Sequence, residues 1–141
     1  VQRLGLASCI TWLGRVPLVA VVSACDVFAL PYRTTMGQAA FPAMLLEAMA
    51  LGVPLVTSDL SLLREVVKPG CTALLAPPGD VQALAACLAR LLASPDLCAA
   101  MVAAQRRHMA CSLHPPRLVA EYVELYQHVL TRQTPVLQPA T

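Results

Sequence analysis

Val27-Phe-Ala-Leu30, then Pro42-Ala-Met-Leu-Leu-Glu-Ala-Met-Ala-Leu51, then Gly52 and Pro54-Leu-Val-Thr57, is the stretch on which the fold turns. The first segment is short, apolar and rich in β-formers, the pattern of a strand buried on both faces. The second is an apolar run with proline at its first turn and glycine past its end, the usual punctuation of a helix. The third repeats the strand pattern. Strand, helix and strand in this order read as a parallel βαβ unit.

Working outward, the alternation continues on both sides. Ile10–Leu13 reads as a short strand, Gly14-Arg15 as a turn and Val16–Ala24 as a short helix. Downstream, Ser58 or Ser61 caps a helix through Val67, and Pro69-Gly70 forces a turn. Thr72–Ala76 reads as a fourth strand, ended by Pro77-Pro78-Gly79. Asp80 caps a helix to Leu92, where Val81, Leu84, Ala85, Leu88, Leu91 and Leu92 recur at helical spacing. Helices from Ser94-Pro95 to His108 and from Pro116 to Thr131 follow. The expected class is α/β, a Rossmann-like parallel sheet with helices on both faces. Such sheets carry about five or six strands. Four strands and an abrupt start suggest sequence missing before Val1. Residues 1–132 are expected to form one partial domain and 133–141 a frayed tail.

Composition excludes several functions. Hydrophobic residues make up 57% of the chain and charged residues 13%, too apolar for a disordered segment. The run Val16–Leu30 is broken by Pro17 and Asp26, and Ala39–Val56 by Pro42, Glu47 and Pro54, so neither reads as a membrane span. The N-terminal residues lack a signal-peptide pattern. A net charge of +2 and few aromatics argue against nucleic acid as a partner. The six cysteines fit no zinc spacing and read as buried free thiols, suited to a reducing, cytoplasmic setting. His108, His114 and His128 have no metal spacing and read as surface or helix-end residues.

In an open α/β sheet, ligands sit beyond the carboxyl ends of the strands. The loop 31–41 leaves such an end and feeds the helix start at Phe41-Pro42, where free N–H groups and the positive helix end favour a diphosphate. Glu47, inside that helix, has two readings. Its carboxylate accepts two hydrogen bonds from a ribose, or it pairs with Arg33 or Arg64 or faces water; helix position alone favours the second. Tyr32 and Arg33 face the ligand edge, as solvated loop or as donor contacts. Asp26 reads as a turn partner, and Arg64-Glu65 as residues serving a salt bridge. Arg106-Arg107-His108 is a small basic cluster near a helix end; a contact with anionic lipid is its less favoured reading.

The stretches ACDVFALPY (24–32), FPAMLLEAMALGVPLVTSDLSLLREVV (41–67) and ALLAPPGDVQALAACLARLLASPDL (73–97) resemble the C-terminal domain of family-4 glycosyltransferases. LGLASCITWLGRVP (4–17) and LVAEYVELYQHVL (118–130) resemble the flanking segments, so nearly the whole chain is covered. The resemblance implies part of a GT-B fold: two Rossmann-like domains with a cleft between them. It implies retaining transfer of a hexose from a UDP- or GDP-sugar to a sugar, lipid or glycan acceptor. It implies no cofactor and no metal, because helix ends and basic side chains hold the diphosphate. The implied partners are a nucleotide-diphosphate sugar, an N-terminal acceptor domain that this sequence lacks, and a membrane-bound acceptor where the acceptor is a lipid.

By position, Glu47 matches the second glutamate of the family's E-x7-E motif, which holds the ribose. The first falls at Ala39, and the family's Gly-Phe-Gly turn becomes Ala40-Phe41-Pro42. Gln38 is adjacent and offers a polar contact. Backbone N–H groups of Phe41, Ala43 and Met44 are placed for phosphate or sugar, whereas Pro42 has none. The basic pair that clamps the diphosphate in the family has no match; Arg3 and Arg15 lie outside that segment. The donor-binding set is therefore Glu47, Gln38, Ala39, Phe41, Ala43, Met44 and Arg33, with no catalytic residue assigned, and the chain alone is expected to be inactive. Two other readings stand behind this one: a degenerate, non-catalytic domain acting as a scaffold, and a sugar-nucleotide epimerase of the same architecture. The protein is expected in the cytoplasm, at the membrane periphery if its acceptor is a lipid.

Overall fold

The computed structural model describes residues 2–34, 43–112 and 115–132. Among these residues six α-helices and three strands follow one another, alternating as far as α4: α1 Leu18–Ser23, β1 Phe28–Leu30, α2 Ala43–Leu51, β2 Leu55–Ser58, α3 Ser61–Val66, β3 Leu74–Ala76, α4 Val81–Leu92, α5 Pro95–Ser112 and α6 Pro115–Arg132. The strands form one parallel sheet in the order β1-β2-β3. Phe28 lies opposite Leu55, and Val56 opposite Leu74.

Adjacent residues of β2 serve opposite faces, as the period of a strand requires. Leu55 packs with Leu45 and Met49 of α2 and Leu63 and Val66 of α3. Val56 packs with Leu74, Leu91 of α4 and Met101 of α5. Helices therefore cover both faces, and all four residues of β2 are buried. Each fully buried leucine of this set contributes about 1.5–3 kcal/mol of burial free energy. A third cluster, Val22, Ala48 and Val53, ties α1 to the end of α2.

The expected strand at Ile10–Leu13 is not there. Ala7–Cys9 is a short 3-10 turn and residues 10–13 are exposed, with Trp12 82% accessible. An apolar run becomes a strand only when another strand takes its hydrogen bonds, and β1 to β3 pair with one another. The described sheet thus has three strands, not four. The expected serine cap of α3 is also corrected. Leu60 occupies the N-cap without a side-chain bond. Asp80 does cap α4, accepting from the N–H of Ala83 at 2.9 Å. The helix after Ser94 runs past His108 to Ser112.

The six thiols are free, but burial was over-read. Cys9, Cys71 and Cys111 are exposed, and Cys25, Cys87 and Cys98 are half-buried. Among the described residues, no single helix is long and apolar enough to cross a membrane. The tail 133–141, His114 and the loop 35–42 lie outside the described residues.

Candidate functional site

All three strands run the same way, so their carboxyl ends share one edge of the sheet. A cleft of about 270 Å³ lies along that edge. Pro31, Tyr32 and Arg33 line it from the end of β1, Ser58 from the end of β2, and Ala76 and Pro77 from the end of β3. Gly79, Asp80, Val81 and Leu84 complete it from the start of α4.

Local hydrogen bonds set this edge. The buried Thr57 donates its hydroxyl to the carbonyl of Leu30 at 2.8 Å, fixing the last residue of β1 just before the Pro31–Arg33 turn. The N–H of Asp59 donates to the carbonyl of Ala76 at 2.8 Å, which holds the β2 and β3 exits together. The Asp59 carboxylate in turn accepts two bonds from Arg64, the Nη2–Oδ2 bond at 2.7 Å. That hydrogen bond lowers the Asp59 carboxyl below its ordinary value; desolvation opposes it, and the Arg64 charge adds a smaller lowering effect. Gly79 adopts φ +80°, so the Pro77-Pro78-Gly79 turn brings the α4 start back toward the sheet.

Arg33 is exposed and supplies the positive charge of the cleft lining; Asp80 supplies the negative one. A cation and the N-terminal end of a 12-residue helix at one cleft favour an anionic ligand, although the Asp80 cap already uses the N–H of Ala83.

Glu47 lies one turn inside α2, on the same helical row as Ala43. Both are exposed, while Leu45, Ala48 and Met49 turn inward. Among the described residues Glu47 makes no ion pair, so pairing with Arg33 or Arg64 gives way to a solvent-facing carboxylate. Met44 is half-exposed. Neither Ala43, Met44 nor Glu47 is among the residues lining the cleft. Gln38, Ala39 and Phe41 lie outside the described residues, in the segment that joins Arg33 to α2. The structure thus brings Arg33 into the cleft and leaves Glu47 exposed on the neighbouring helix.

The salt bridge expected at Arg64 forms, and its partner is Asp59, which sits at the β2 exit beside α3. Asp26 is exposed and has no side-chain hydrogen bond among the described residues. His108 lies near the end of α5, as its helix-end reading expects, but it is half-buried, and its Nε2 lies 2.8 Å from the carbonyl of Val66. Ser58 and Asp80 were read only as helix caps, and Ala76 only as the end of a strand. Their shared position at strand exits was the signal that they line one cleft.

Similarity to known proteins agrees with this geometry. Residues 1–94 match the family described as Glycosyl transferases group 1. The chain is 39% identical over 106 residues to a phosphatidyl-myo-inositol mannosyltransferase of Mycobacterium leprae, covering 73% of this chain and 28% of that protein. It is 44% identical over 68 residues to the amylovoran biosynthesis glycosyltransferase AmsK of Erwinia amylovora, covering 47% of this chain and 17% of that protein. Among solved structures, the sucrose-phosphate synthase of Thermosynechococcus elongatus superposes with a TM-score of 0.79 at 27% identity, over 92% of this chain and 32% of that one. Anabaena HepE, in complex with UDP-glucose, superposes with a TM-score of 0.74 at 25% identity, over 87% of this chain and 34% of that one. The chain thus spans a third or less of the curated relatives it matches here.

Proposed function

The chain belongs to the group 1 glycosyl transferases, and on that premise we propose that the complete protein is a retaining hexosyltransferase whose nucleotide-sugar donor is held here. The observation that carries this reading is the cleft along the carboxyl ends of β1, β2 and β3, with Arg33 on its wall. That edge is where open α/β sheets bind nucleotides. The UDP-glucose held by HepE, a structural relative, supports a nucleotide-diphosphate sugar as the ligand class.

In this reading Glu47 accepts hydrogen bonds from the ribose hydroxyls, and its exposure leaves the carboxylate free to do so. The 38–44 segment supplies backbone N–H groups to phosphate and sugar, backed by the positive end of α2. Arg33 adds charge beside the diphosphate. Catalysis is then electrostatic stabilisation of the departing nucleotide diphosphate, with no metal required. The acceptor is a sugar, lipid or glycan engaged by a second domain, in the cytoplasm or at the membrane surface.

The test uses the full-length protein. UDP-glucose and GDP-mannose are each supplied with EDTA present, and release of nucleotide diphosphate is measured. Release from either donor, with retained configuration in the product, supports the proposal. Nucleotide binding without turnover favours a non-catalytic domain, a reading motivated by Ala39 standing where the family has a glutamate. An epimerised sugar nucleotide as product would replace both.

A further inference from the structure

A second pocket, of about 220 Å³, lies at the opposite end of β3. Lys68, Cys71 and Thr72 line it from the turn that leads into β3, and Ala104, Arg107, His108 and Cys111 from α5. Thr72 and Ala76 mark the two ends of this segment. At about 3.3 Å per residue the two cavities are some 13 Å apart along the strand.

The chemistry of this pocket is one-sided. It holds two permanent cations and an imidazole, and no carboxylate is among its lining residues. Lys68 and Arg107 are exposed and make no ion pair among the described residues. The turn that presents Lys68 is rigid: its N–H donates to the Thr72 hydroxyl at 2.8 Å, and the N–H of Gly70 donates to the carbonyl of Ala73 at 2.8 Å. His108 is oriented as well. A carbonyl only accepts, so the 2.8 Å contact with Val66 requires the proton on Nε2. Nδ1 of the neutral ring is then an acceptor, and it is buried without a partner among the described residues. Buried polar atoms in folded proteins are seldom left unpaired. Two cations beside one unused acceptor suit a ligand that carries both an oxyanion and a hydroxyl.

We propose that Lys68, Arg107 and His108 form a binding site for the phosphate group of a small hydroxylated phosphate ester, separate from the cleft at the carboxyl edge. The phosphate oxygens meet Lys68 and Arg107, and a ligand hydroxyl donates to His108 Nδ1 once the side chains that close this atom off from solvent give way. The ester is either a free metabolite or the headgroup of an anionic lipid, since both present the same groups.

The test titrates glycerol 3-phosphate and inorganic phosphate into the full-length protein by calorimetry, with and without saturating UDP. UDP removes any contribution from the other edge of the sheet. Vesicles of phosphatidylglycerol in phosphatidylcholine are sedimented with the protein in parallel. The expected result is saturable glycerol 3-phosphate binding that persists with UDP and exceeds that of inorganic phosphate. Lys68→Gln with Arg107→Gln should weaken it by about tenfold or more, the scale of one or two charge-assisted hydrogen bonds. Arg90→Gln, an exposed change on α4, should leave it unaltered. If only vesicle binding appears and the Lys68/Arg107 pair abolishes it, the phosphate belongs to a lipid headgroup. Binding of ester and vesicles that is absent, or indifferent to the pair, overturns the site. Because Lys68 and Arg107 are exposed, an unchanged thermal midpoint shows that the pair still folds.

Discussion

The side chain of Gln105 spans two loops: its Nε2 donates to the carbonyl of Val53 at 3.1 Å and to the carbonyl of Thr72 at 2.9 Å. Val53 precedes β2 and Thr72 precedes β3, so one amide closes the amino edge of the sheet onto α5. Gln105 is fully buried, and Met101, one turn earlier, accepts from the N–H of Leu55 at 3.4 Å through its sulfur.

Replacing Gln105 by alanine strands two buried carbonyls at once. At about 1–3 kcal/mol per unsatisfied group, partly relieved by relaxation, the loss should be about 2–4 kcal/mol. Gln105→Glu keeps the shape but presents acceptors to acceptors when ionised, and should cost at least as much. Urea denaturation of the full-length protein measures both. A loss under about 0.5 kcal/mol, the range of an ordinary surface change, would show that the loops do not depend on this amide.

Gly52 ends α2 with φ +72°, and a Cβ there would lie 3.2 Å from Val102 Cγ1. Gly52→Ala should therefore cost about 1–2 kcal/mol from backbone conformation, plus a contact contribution. Val102→Ala removes the contact but not the backbone strain. A double-mutant cycle should thus show partial rescue. Complete rescue would place the whole effect in the contact, and no rescue would place it in the backbone.

Glu47 is exposed and makes no ion pair among the described residues, so Glu47→Ala should change stability by no more than about 0.5 kcal/mol. Under the donor-binding proposal it should still weaken UDP binding by about ten- to a hundredfold, the value of about 1.5–3 kcal/mol for hydrogen bonds to a charged group. Arg33→Ala should weaken UDP binding less, because it removes one exposed charge. An unaltered dissociation constant for Glu47→Ala would remove the ribose assignment.

The hydrogen bond from Arg64 holds the folded Asp59 carboxyl below its ordinary value. A depressed carboxyl contributes stability that is present above its unfolded pKa and is lost as pH falls through the folded one. Asp59→Asn should therefore make stability less dependent on pH below about 4 and leave its slope near neutrality unchanged. The pair is solvent-exposed, so the effect should also shrink with added salt. Denaturation midpoints from pH 2 to 7 at two ionic strengths check both points.

Much of the architecture was legible because its signals are local. Proline at 42 and glycine at 52 bracket α2 to within a residue. Asp80 after Pro77-Pro78-Gly79 announces α4, and the cap forms as read. Ile10–Leu13 looked the same as β1 by composition but has no strand beside it among the described residues, and pairing cannot be read from one segment. The site was half legible. Arg33 was found through its place after β1, whereas Ser58 and Asp80 were read for local roles and their common edge was missed.

By itself, the sequence determined the alternation of strands and helices, the helix punctuation and the family. Each rests on spacing within about twenty residues, where backbone preference and apolar periodicity act directly. Tertiary structure decided which apolar run becomes a strand and that Arg33, Ser58 and Asp80 share a cleft. It also decided that Gln105 and His108, polar residues on a helix, bond to carbonyls 52, 33 and 42 positions away. Those outcomes depend on which groups lose water together when the helices close over the sheet.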